Sequence, residues 1–100
     1  MSDLDGIVEL GGHFLLVEWK KPGVAIPDGQ RIMFEKMTQN EKFIVYLVTG
    51  DPKAMTVEKR EICYGGKFHA SKQLTLGDLK DEFKRWSKMA APSRLLESFA

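Results

Sequence analysis

Residues 5–20 read DGIVELGGHFLLVEWK, and their pattern decides the fold. Two strand-like runs, GIVEL (6–10) and HFLLVEW (13–19), flank Gly11-Gly12. Both glycines accept positive φ without strain, so the pair predicts a two-residue hairpin turn. In a hairpin turning there, Leu10 faces His13, Val8 faces Leu15 and Asp5 faces Glu18. Asp3 would face Lys20 if the pairing continued that far. Directly opposed Cβ atoms lie ~4.5–5.5 Å apart. The two-residue period of a strand then puts Asp5, Glu18 and Lys20 on one face.

Outward from the hairpin, KKPG (20–23) breaks the second strand, because Pro22 cannot donate to a ladder. VAIPD (24–28) reads as an ordered loop, and a helix follows from about Gly29 to Gln39 with Asp28 as its N-cap. Ile32, Met33, Phe34 and Met37 supply that helix with an apolar stripe. KFIVYLVT (42–49) is nearly continuously apolar, as expected of a central strand covered on both faces. Gly50-Asp51-Pro52 reads as a turn, MTVEKREICY (55–64) as a half-exposed strand, and KFHA (67–70) as a further short strand after Gly65-Gly66. The last element is helical, capped by Thr75 or Ser71, with Leu76, Leu79, Phe83, Trp86 and Met89 or Ala90 on its apolar face. Asp78, Asp81 and Glu82 read as first-turn acids suited to the helix dipole. Pro92 ends or kinks this helix, and RLLESF (94–99) reads as a tail or a partner contact. The fold class is α/β: a small mixed β-sheet with an N-terminal hairpin, a crossover helix and a C-terminal helix.

The 100 residues fit one domain. Hydrophobic residues at 43% supply enough apolar surface to exclude a disordered chain. The single Cys63 excludes an internal disulfide framework and reads as a buried small hydrophobe. Fifteen Lys and Arg against 14 Asp and Glu make no polybasic coat, so any nucleic-acid contact has to come from a local patch. Lys20, Lys21 and Arg31 form one candidate patch, and Lys80, Lys84, Arg85 and Lys88 along one side of the last helix form another. The longest apolar runs are far shorter than a membrane span, and no signal peptide is visible, so the expected setting is soluble and cytoplasmic.

Two opposed carboxylates are destabilising unless a positive group sits between them. Lys20 is one candidate, and a divalent cation such as Mg²⁺, bound through one or two carboxylates, is the better one. That chemistry suits metal-assisted phosphodiester hydrolysis, with Lys20 orienting the attacking water or neutralising developing charge. The plain structural alternative is an exposed Glu18–Lys20 ion pair of little energetic consequence, ~0–1 kcal/mol.

The order Asp5, hairpin, Glu18-Trp19-Lys20 resembles the core of the PD-(D/E)XK nuclease superfamily. Gln30, opening the next helix, is similar to the Gln of its VRR-NUC and Holliday-junction-resolvase-like branches. The likeness covers roughly residues 3–50. It implies a restriction-endonuclease-like core in which Asp5, Glu18 and the carbonyl of Trp19 bind Mg²⁺ or Mn²⁺. It also implies Lys20 near the attacking water and Gln30 supporting the site or contacting substrate. The implied activity is hydrolysis of DNA, with branched or flapped DNA favoured by analogy, by a homodimer whose candidate contacts are the last helix or residues 92–100. The compact size suits a phage or mobile-element protein in a bacterial host cell. Many members carry an acidic residue on a helix before the hairpin, and only four residues precede Asp5 here. The site then manages without that helix, is completed by a partner chain, or works at reduced activity. The alternative function is a nucleic-acid-binding or inhibitory module that keeps the fold but does not cut.

Overall fold

The computed structural model describes residues 6–90. The hairpin forms as its sequence dictates. Strands β1 (Gly6–Leu10) and β2 (His13–Lys20) pair antiparallel from Leu10↔His13 to Gly6↔Val17. Gly11 and Gly12 both take positive φ, 59° and 83°, the geometry that matches the twist of the flanking strands. Helix α1 (Asp28–Met37) leads to β3 (Phe43–Asp51), which pairs parallel to β2 from Phe14↔Phe43 to Lys20↔Thr49. Antiparallel β4 (Thr56–Tyr64) follows, then the two-residue strands β5 (Lys67–Phe68) and β6 (Lys72–Gln73), both on β4. Helix α2 (Leu76–Ala90) closes the described chain. The mixed sheet runs β1-β2-β3-β4-β5, with β6 beside β4.

The sheet is covered on both faces, which explains why β3 is apolar nearly throughout. On one face Leu16, Val45 and Cys63 pack with Phe34 of α1. On the other, Leu15, Tyr46 and Val48 pack with Leu79, Trp86 and Ala90 of α2.

Several elements differ from expectation for identifiable reasons. Helix α1 starts at Asp28, with Pro27 at its N-cap (φ −59°, ψ 146°) and no side-chain cap. Proline presets the backbone, and Asp28 contributes charge to the first turn instead. The buried line of α1 is Gln30, Phe34 and Thr38, so Ile32 is exposed. Gly50-Asp51-Pro52 is not the turn. Strand β3 runs on through Asp51 by a register shift between Thr49 and Gly50, and the reversal follows at 52–55, with Met55 at φ 56°. Thr75 caps α2 reciprocally with Asp78: each main-chain N–H donates to the other's side-chain oxygen, at 3.1 and 3.2 Å. Those contacts hold the exposed Asp78 carboxyl below its ordinary pKa.

Candidate functional site

Glu18 lies near the carboxyl end of β2, in the layer between the sheet and α1, and is only 4% exposed. Alternation along β2 puts it on the face of Leu16 and Lys20. Gln30 sits in the first turn of α1, also buried, and its Nε2 donates to Glu18 Oε1 at 3.1 Å. The eleven residues between them include a turn at Lys21–Val24, where Val24 N–H bonds Lys21 C=O at 3.2 Å and Gly23 takes φ 77°. Proline before a glycine of positive φ suits that type II geometry. The turn brings the Val24 carbonyl to Lys20, whose Nζ donates to it at 2.7 Å.

Glu18 and Gln30 are therefore joined between β2 and the start of α1, while Lys20, two positions on along β2, is held by the Val24 carbonyl. Asp5 lies outside the described residues, as do Asp3 and the tail at 92–100. The described hairpin pairing ends at Gly6↔Val17. Among the described residues, no three His, Cys, Asp or Glu side chains form a metal-holding group.

The basic residues separate. Lys21 is exposed beside Lys20. Arg31 turns toward β4 and β5 instead of the Glu18 carboxylate, with its guanidinium 3.6 Å from Glu61 Oε2 and 4.1 Å from the centre of the Phe68 ring. Lys80 and Lys84 belong to α2, across the sheet from Glu18, where they border a groove of about 420 Å³. The hairpin residues Val8, Leu10, Leu15 and Val17 and the ring of Phe83 line that groove.

A second acid, Glu82, is buried where the sequence predicts a first-turn charge. Glu82 lies in the second turn of α2 and is an anchor, not a first-turn charge. Arg60 of β4 holds both its carboxylate oxygens at 2.9 Å, Tyr46 Oη donates to Oε1 at 3.0 Å, and Lys72 Nζ stands 3.8 Å from Oε2. Arg60 is the main cause that keeps the Glu82 carboxyl below its ordinary pKa. Burial, reinforced by the Glu82 charge, pushes the Tyr46 hydroxyl well above its usual value. The signal was available: Glu82 stands three residues after Leu79 and four before Trp86, on the buried line of the helix.

Cys63 is fully buried, its sulfur 3.2 Å from the Thr38 hydroxyl, and burial raises its pKa, so it behaves as a structural thiol. His69 Nε2 meets the Tyr64 carbonyl at 3.1 Å within its own turn. No family model, curated protein or solved structure matches the chain. No helix among the described residues is long and apolar enough to cross a membrane.

Proposed function

We propose that the protein is a Mg²⁺- or Mn²⁺-dependent nuclease of the PD-(D/E)XK type that hydrolyses DNA. The supporting observation is the buried hydrogen bond from Gln30 to Glu18, two strand positions from Lys20. It joins two of the residues that the family likeness singles out, with Lys20 on the same face of β2. A carboxylate with little access to water is costly unless it is held and neutralised.

The donor set fits a hard cation in kind: the Glu18 carboxylate and the Trp19 carbonyl are oxygen ligands, as Mg²⁺ and Mn²⁺ prefer. Asp5 would be the further carboxylate. When bound, the ion would polarise the scissile phosphate and lower the pKa of a coordinated water. The chain's own part is positioning. Gln30 holds one oxygen of Glu18, which fixes the carboxylate plane. The Val24 carbonyl holds the Lys20 ammonium at the end of β2, where it can orient water or meet a phosphate oxygen. Lys21 adds a second cation at that end.

The test is incubation of the purified protein with linear, flapped and four-way DNA, with Mg²⁺, Mn²⁺ or chelator. Metal-dependent cutting that is lost in Glu18→Gln and in Lys20→Ala, with unchanged thermal midpoints, supports the reading. No cutting of any substrate, or cutting that survives both substitutions, overturns it. DNA binding without cutting assigns the non-catalytic module instead.

A further inference from the structure

The two ends of the sheet are built differently. Beyond β4 the ladder stops in β5 and β6, two residues each, carrying Lys67 and Lys72. Short, lysine-bearing edges discourage pairing with another chain. Among the described residues the opposite edge is β1, five residues with no Pro, Lys or bulge, and with Ile7 58% and Val8 46% exposed. We propose that β1 is a dimerisation edge, where two copies of this chain pair antiparallel around a two-fold axis at Val8.

The register follows from the hairpin. In a two-residue hairpin the pair beside the turn, Leu10 and His13, exchanges both hydrogen bonds, and bonded pairs then alternate. Gly6, Val8 and Leu10 thus direct their main-chain groups at β2, while Ile7 and Glu9 direct theirs to the outer edge. The N–H of Phe14, which lies opposite Glu9, bonds the Lys42 carbonyl on the other side of β2 at 2.7 Å, as this alternation requires. Centring the two-fold on Val8 sets Ile7 of each copy against Glu9 of the other in bonded pairs, and Gly6 against Leu10. A register centred on Glu9 would oppose two carboxylates, and one centred on Ile7 would pair only residues 6–8 of each β1. The Val8 register pairs all five residues of β1 and opposes no like charges. The pairing uses main-chain groups and leaves the Glu9 carboxylate where it accepts Gly12 N–H at 2.7 Å.

The side chains also favour a second copy. Val8 points to the α2 face and lines the groove with Leu10, Leu15, Val17 and Phe83. At the two-fold the Val8 residues form a non-bonded pair, where Cα atoms approach to ~4.5 Å. Each Val8 then covers the open side of the other copy's groove, so that both grooves close against apolar surface. The arrangement is isologous and stops at two copies.

The readout is mass and cross-linking, independent of any nuclease activity. Sedimentation of the full chain is expected to give a dimer. Ile7→Pro removes an outward N–H without touching a β1–β2 bond, so it is expected to give a monomer with an unchanged circular dichroism spectrum. Val8→Cys is expected to form a disulfide-linked dimer on oxidation, since Cys63 is buried, whereas Ile7→Cys is not, because its copies lie off the axis. Should Ile7→Pro unfold, the cysteine pair decides. A monomeric wild type, a folded Ile7→Pro that stays dimeric, or a dimer that Val8→Cys fails to link overturns the proposal.

Discussion

Among the described residues, two acids are buried on opposite faces of one sheet, and their partners set different behaviours. Glu82 is matched by a guanidinium held on both oxygens, so removing the cation strands a charge. Arg60→Met is expected to cost about 3 kcal/mol, because an uncompensated buried charge outweighs the attraction it replaces. At ~4–8 °C per kcal/mol for a domain of this size, the thermal midpoint should fall by roughly 12–24 °C. The double variant Arg60→Met with Glu82→Leu should recover most of that loss. The pH dependence has a definite sign. Glu82 titrates lower when folded than unfolded, so its contribution is complete above the ordinary carboxylate range and disappears as pH falls through the depressed folded value. Tyr46 is shifted upward, so stability should fall as pH rises beyond the ordinary tyrosine value of about 10. Urea midpoints measured across both ranges check this: Tyr46→Phe should flatten the alkaline slope, and the double variant the acid one. Glu18 accepts from the side-chain amide of Gln30. If the nuclease reading holds, Gln30→Ala should lower cleavage by about 10–100-fold, the range for groups that orient a metal ligand.

At the scale of elements, Gly50 marks where local sequence and tertiary pairing disagree. A Cβ there would drive into the Thr56 carbonyl oxygen, which is backbone and cannot yield. Gly50→Ala is therefore expected at the severe end of single substitutions, about 3 kcal/mol, read as a shifted urea midpoint. Thr75→Ala should cost about 1 kcal/mol through the lost cap. The hairpin register could be read because a Gly-Gly turn and a two-residue period leave one solution, and β3 could be read because burial on both faces makes it uniformly apolar. Gly50-Asp51-Pro52 looked like a reversal because composition does not distinguish a bulge from a turn. Strand β5 forms within KFHA, as the Gly65-Gly66 turn before it predicts, whereas β6 is too short to carry a period and only its pairing with β4 defines it. Gln30 was singled out by likeness to a family. The physical reason it is buried, its place on one helical line with Phe34 and Thr38, could have been read from the spacing alone.

For the whole molecule, the sheet is a partition. Glu18, Lys20 and Gln30 share the α1 layer, while Lys80 and Lys84 rise from α2 on the other side. A duplex laid against the end of β2 reaches Lys20 and Lys21 directly, and an uninterrupted sheet stands between it and the α2 row. The two lysine sets should therefore separate in a salt titration of DNA binding. Each phosphate contact removed lowers the slope of log affinity against log salt by about 1. Lys21→Ala should weaken binding and reduce that slope by about 1. Lys80→Ala with Lys84→Ala should change neither affinity nor slope if DNA contacts only the β2 end of the molecule. If the α2 pair carries the salt dependence and Lys21 does not, the nucleic-acid face is the one opposite Glu18. The carboxylate would then sit across the sheet from bound DNA, where it could not act on a phosphodiester, and the protein would be a binding module. Fluorescence anisotropy of a labelled duplex over a salt series, with the three proteins side by side, separates these outcomes without requiring cleavage.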